Sequence, residues 1–173
     1  RGDLVVVTIN YRLGALGFCD LGSHLGNDFA TCGINGTLDQ VAALNWIKAN
    51  IGSFGGDPDC ITVGGESAGA FSVCNLLAME AASGLFHRAI AQSGACHHTF
   101  DPTEGAVIAK EFLDHLDNPS VDDLMALPVE TILTAQERVL VASEIADDGD
   151  QVAAWIQEPF YPVWGHELLP RDP

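Results

Sequence analysis

An α/β fold with a mostly parallel sheet is predicted for this chain of 173 residues. Three observations predict it. Short runs rich in Val and Ile alternate with helical patterns over the first hundred residues, the order that builds a parallel sheet with right-handed crossovers. One such run, residues 60–63, leads directly into Gly65-Glu66-Ser67-Ala68-Gly69 and then a helix-compatible stretch, so the chain turns from strand to helix at a serine. After Ala95 the pattern changes to helix alone.

The elements follow in order. Residues 4–10 are a continuous apolar run, the pattern of a parallel strand buried on both faces. Residues 14–36 hold six glycines without a clear period and read as a long surface loop. Leu38, Val41, Leu44, Ile47 and Ile51 recur at steps of three and four, giving an amphipathic helix that ends near Gly52. Residues 61–63 form the strand before the serine turn. Residues 68–79 are nearly all small or apolar and form a helix packed between sheet and neighbours, and residues 88–92 are the next strand.

Asp101 and Pro102 then supply a cap and a proline at the first helical position, with Glu104 completing a capping box. Ala109, Phe112, Leu113 and Leu116 make the apolar face of that helix. Ser120 and Asp123 cap a short second helix, and Pro128 opens a third that runs to about Ser143. Residues 144–150 read as an acidic loop. With no internal repeat and no linker, residues 1–173 are assigned to part of one domain. Residues 1–100 form its sheet core, 101–160 a helical, cap-like insertion over the site, and 161–173 a loop.

Composition narrows the functional classes. At 47% apolar residues the chain can bury a substantial core, about 70% of its unfolded surface for a compact domain of this size. Acids outnumber bases 24 to 7, most steeply after residue 100. Nucleic-acid binding needs a basic footprint, which this chain lacks, and an anionic membrane surface is disfavoured for the same reason. The acidic surplus reads as a solvated face. No apolar run is long enough to span a bilayer. Arg1-Gly2-Asp3 followed at once by a strand, without a leading basic and apolar segment, reads as the interior of a longer protein. The five cysteines, Cys19, Cys32, Cys60, Cys74 and Cys96, form no C-x-x-C pair, and none sits at zinc spacing with histidine. Cys60 and Cys74 are expected as buried free thiols. Cys19 and Cys32 could be bridged in a secreted protein, so the redox compartment stays open.

The serine turn carries the chemistry. Its flanking glycines let the backbone bend sharply and keep side chains away from the approaching helix. Phe54-Gly55-Gly56-Asp57-Pro58, the apolar strand and Gly65-Glu66-Ser67-Ala68-Gly69 together resemble the signature of type-B carboxylesterases, the family of bacterial esterases, liver-type carboxylesterases and cholinesterases. Val5-Val6-Val7-Thr8-Ile9-Asn10-Tyr11-Arg12-Leu13-Gly14 is similar to the family's strand into N-Y-R-x-G. Asn35-Gly36-Thr37-Leu38-Asp39-Gln40, with Ala43-Leu44-Asn45-Trp46-Ile47, is similar to its G-L-x-D-Q and A-L-x-W segments. Phe86-His87-Arg88-Ala89-Ile90-Ala91-Gln92-Ser93-Gly94 is similar to the strand after the serine helix. The resemblance covers residues 4–94 almost continuously and extends to the tail at 161–173. Residues 101–160 match only in general character. Gly64, Ala70 and Trp164-Gly165-His166 depart from the usual pattern, and none of them touches the serine.

The resemblance implies an α/β-hydrolase fold, a central mostly parallel sheet with flanking helices and the start of a helical cap. It also implies a bacterial-type serine esterase of which this chain is an internal fragment. Ser67 would be the nucleophile, activated by a histidine that a carboxylate orients. The N–H of Ala68 would be one oxyanion-hole donor. The remaining donors belong to a loop of H-G-G-G type, and no such sequence precedes Leu4. The family order is serine, acid, histidine. His87 reads as structural, His97 and His98 as close to the pocket rim, and His115 as surface or core filler. His166, with Asp147 and Asp150 upstream, completes a triad on paper. It occupies a glycine position of the family's tail loop, however, and the acid and histidine are expected beyond this chain.

Glu66 is expected as a structural carboxylate bonded to nearby backbone or a cation. Ser93 matches a family serine that supports the triad acid from behind, or else is a strand-end serine capping a loop. Arg12 matches an arginine whose acid partner lies upstream of Arg1. The reading is a carboxylic ester hydrolase working through an acyl-serine on a small-molecule ester, without metal or cofactor. The fragment alone should have little activity. The alternative is a catalytically inactive, cholinesterase-like adhesion or binding domain, a class whose members generally lack the serine present here.

Overall fold

The computed structural model describes residues 3–145, 159–165, 167–170 and 173. Along the chain run α1 (Gly14–Phe18), α2 (Gly22–Leu25), α3 (Asn35–Asn50), β1 (Thr62–Glu66), α4 (Ala68–Ala78), β2 (Arg88–Gln92), α5 (Pro102–Asp114), α6 (Val121–Ala126) and α7 (Val129–Ile145). The two strands pair in parallel, from Thr62 opposite Arg88 to Glu66 opposite Gln92, with α4 as their crossover. An isolated bridge joins Phe100 to Val163 and ties the tail to the start of the helical region.

Local chemistry explains the helices. The Asp101 carboxylate accepts from the N–H groups of Thr103 (2.6 Å) and Glu104 (2.9 Å), while Glu104 accepts from the N–H of Asp101 at 2.9 Å. This is the expected capping box at the start of α5, with Pro102 in the first turn. Ser120 Oγ accepts from the N–H of Asp123 and caps α6. Between those helices Asp117 and Asn118 take positive φ in succession, a conformation that Asp and Asn tolerate better than most residues.

Two apolar clusters hold the elements together. In one, Phe18 of α1 and Cys19 just after it meet Ala109 and Phe112 of α5 and Ala135 and Val139 of α7, all buried. Gln136 Oε1 accepts from the N–H of Ala15 at 2.8 Å and fixes α7 against α1. In the other, Ile34, Val41 and Leu44 on the α3 side meet Leu76, Met79 and Leu169. The tail is thus part of the core, with Leu169 fully buried and Val163 donating to the Gly33 carbonyl at 3.1 Å.

Four expectations are corrected. Residues 4–10 carry the composition of a buried strand but belong to no ladder, and Leu4 and Val6 are 86% and 82% exposed. A strand satisfies its backbone only through neighbours. A cavity of about 610 Å³, lined by Leu4, Val5 and Ile9 on one side and Thr62 and Val63 on the other, separates this segment from β1.

Residues 14–36 are not a surface loop. They contain α1, α2 and two turns of 3-10 helix, and Phe18, Cys19 and Ile34 are buried. Two of their glycines serve close packing, since a Cβ on Gly17 or Gly36 would lie 2.3–2.4 Å from the Arg12 carbonyl. Arg12 does not await a partner from upstream. Its Nε and Nη2 each donate to Asp39 at 2.8 Å, and its backbone N–H donates to the same carboxylate at 3.0 Å. Cys60 is exposed just before β1 rather than buried, with its Sγ accepting from Arg88 Nη1 at 3.2 Å.

Candidate active site

The sharp turn falls where the motif puts it. β1 ends at Glu66 and α4 begins at Ala68, which leaves Ser67 alone between them at φ 52°, ψ −117°. A non-glycine residue held at positive φ outside a routine turn costs on the order of 1–3 kcal/mol and persists only where its surroundings enforce it. They do so here. The Ser67 N–H donates to the Gln92 carbonyl at 2.9 Å, and the Ser67 carbonyl accepts from Ala70 (2.8 Å) and Phe71 (3.1 Å). The backbone of Ser67 is held on both sides while its side chain stays exposed.

Gly65 is required by space. A Cβ there would stand 2.1 Å from the carbonyl carbon and oxygen of Gly69. Gly69 differs, because a Cβ at its position would meet nothing within 4 Å. Only the first flanking glycine keeps a side chain out of the approaching helix. Ala68 is the first residue of α4, so its N–H lacks an acceptor within the helix and sits at the positive end of the helix dipole. An anion bound beside Ser67 would meet that donor.

The loop after β2 packs over the same turn. Ser93 takes φ 55°, and a Cβ on Gly94 would lie 2.8 Å from the Ser67 carbonyl oxygen. His98 stacks on Phe71 of α4, with centroids 3.7 Å apart and planes 11° apart, and His97 meets the same ring edge-on at 5.4 Å. Tyr161 abuts His98 at 5.3 Å. His98 Nδ1 is buried without a hydrogen-bond partner. Burial, and then the neighbouring His97, push the His98 pKa below its usual range, which favours the neutral imidazole.

A match over residues 1–173 to the model of the "Carboxylesterase family" accompanies this geometry. The chain belongs to the carboxylesterase family. It is 43% identical over its whole length to the para-nitrobenzyl esterase of Bacillus subtilis (strain 168), covering 33% of that protein. It is 40% identical over its whole length to esterase E4 of Myzus persicae, covering 31% of it. A crystal structure of a Geobacillus stearothermophilus carboxylesterase superposes with a TM-score of 0.82 at 42% identity, over 99% of this chain and 33% of that one. The chain therefore spans about a third of the length of these relatives. Its small parallel sheet and helices are part of an α/β-hydrolase fold.

The other singled-out residues are distributed as follows. The Glu66 carboxylate is exposed and hydrogen-bonds to nothing among the described residues, so the expected backbone bond is not formed. His87 is structural, its Nδ1 accepting from the Ile61 N–H at 3.1 Å. His115, the half-buried residue that ends α5, has its Nε2 3.9 Å from Glu111 Oε1. His166, Asp147 and Asp150 lie outside the described residues. Among the described residues no three His, Cys, Asp or Glu side chains are grouped to hold a metal, and no helix is long and apolar enough to cross a membrane. One participant, Phe71, was not signalled by any motif. Its role depends on the packing of the 94–98 loop on α4, a contact between segments more than twenty residues apart.

Proposed function

We propose that the protein containing this sequence hydrolyses carboxylic esters of small molecules through an acyl-serine intermediate on Ser67. One observation carries the reading. Ser67 is exposed at the strained junction of β1 and α4, with its backbone held at both ends and the free N–H of Ala68 beside it. Ser67 Oγ attacks the ester carbonyl, and Ala68 N–H stabilises the oxyanion that forms. The alcohol leaves, and water then releases the acid. The histidine that takes the serine proton, and the carboxylate that orients it, are supplied from outside this sequence. Ser93 supports that carboxylate from behind.

The test uses the intact protein. A fluorophosphonate should label Ser67, and p-nitrophenyl esters should be turned over in the wild type and not in Ser67→Ala. An intact, folded protein that neither reacts with the fluorophosphonate nor turns over esters would refute the proposal.

A further inference from the structure

The segment leaving β2 is anchored to α4 at several points. A Cβ on Gly94 would meet Ala70 Cβ at 2.7 Å and Phe71 Cε1 at 2.8 Å, and the rings of His97 and His98 pack on Phe71. Cys96 lies between these anchors. Ala70 and Cys74 are four residues apart on α4 and share one helix face. These packing contacts hold the loop that carries Cys96 against that face, where the Cys96 and Cys74 side chains interact. Both are free thiols, Cys74 buried and Cys96 exposed.

We propose that Cys74 and Cys96 are a thiol pair that closes to a disulfide by exchange with a small external disulfide, such as oxidised glutathione, and so clasps the 94–98 loop onto α4. Exposure makes Cys96 the first to react. Its thiolate attacks one sulfur of the external disulfide, forming a mixed disulfide and expelling one thiolate. Cys74 then gives up its proton to solvent and attacks Cys96 Sγ, and the second external thiolate leaves. Two protein thiols are oxidised to one disulfide while one external disulfide is reduced to two thiols. Burial and then contact with Cys96 push the Cys74 thiol up to about 11, which suits the resolving rather than the attacking role. All of β2 lies between the two cysteines, so the clasp ties the exit of that strand to the helix that follows Ser67.

The experiment reads thiols, not ester turnover, and is independent of the proposed function. The intact protein is incubated with oxidised glutathione, or with dithiothreitol as control. Free thiols are then blocked with iodoacetamide, and a non-reducing digest with trypsin and a glutamate-specific protease, which cuts at Glu66 between Cys60 and Cys74, is mapped by mass spectrometry. The expected result is a Cys74–Cys96 cross-linked peptide in the oxidised sample, with loss of two alkylatable thiols, reversed by dithiothreitol. Cys74→Ser should instead hold a glutathione adduct on Cys96. A wild-type protein that keeps glutathione on Cys96 while Cys74 stays free would overturn the proposal. So would a bridge from Cys96 to any other cysteine. Should Cys74→Ser fail to fold, the wild-type map alone decides.

Discussion

In the helical region Ala109, Phe112, Ala135 and Val139 are all buried, whereas every residue of β2 is exposed and Ile90 is 52% exposed. The two regions close their structures by different means. A helix completes its own hydrogen bonds and needs only one apolar face covered, which α5 and α7 achieve against each other and α1. A strand depends on neighbours at both edges and on both faces. The elbow region β1–α4–β2 nevertheless keeps Ser67 strained, because that strain is set by short-range contacts: the Gln92 carbonyl, the first turn of α4 and the bare Gly65. The helical region carries burial, and the elbow region holds the proposed nucleophile.

That division can be broken by substitution in the intact protein. Ser67→Ala should lower ester turnover about a million-fold, the scale of a lost nucleophile in a triad enzyme, while the urea midpoint stays unchanged. Phe112→Ala should do the reverse. It opens a cavity between α5 and Phe160 and costs about 3–5 kcal/mol of stability, with turnover per folded molecule retained. If Phe112→Ala impaired catalysis while folded, the two regions would not be separable. Gly65→Ala sits between these extremes. Its Cβ must displace the Gly69 carbonyl, so it should cost roughly 1–3 kcal/mol and also lower turnover about 100-fold through the shifted turn.

Smaller effects sharpen the comparison. Asp101→Ala removes the cap of α5 and should cost about 1 kcal/mol, read as a lower urea midpoint with unchanged turnover. Asp39 responds to pH. Its hydrogen bonds to Arg12 hold the carboxyl below its usual value of 3.8. The stability it contributes is complete above that value and is lost as pH falls through the lowered one. Asp39→Asn should therefore be less stable than wild type at neutral pH, with the gap closing as a denaturation series is taken below 3.8.

Much of this was legible in the sequence wherever the cause is local. The capping box at Asp101, the span of β2, and the strand-turn-helix order around Ser67 each depend on a few consecutive residues. What was not legible depends on distant partners. Residues 4–10 have a strand's composition, but composition does not say which neighbour completes the ladder. The glycines of residues 14–36 suggested looseness, whereas Gly17 and Gly36 are there because the Arg12 carbonyl leaves no room for a Cβ. The Arg12–Asp39 pair, the Phe71–His98 stack and the meeting of Cys74 with Cys96 join segments more than twenty residues apart.

The edge of β1 that pairs with no strand among the described residues faces residues 4–10 across the cavity, and this has a consequence for handling this sequence on its own. A row of free backbone donors and acceptors is a template for any other extended chain, including another copy. The net charge of −17 keeps such copies apart in dilute buffer. Salt shortens the reach of that repulsion to roughly 8 Å at physiological strength, about the scale at which two edges must meet. For the isolated 173 residues, colloidal stability is therefore an ionic-strength problem, and low-salt buffer is the condition in which they stay dispersed.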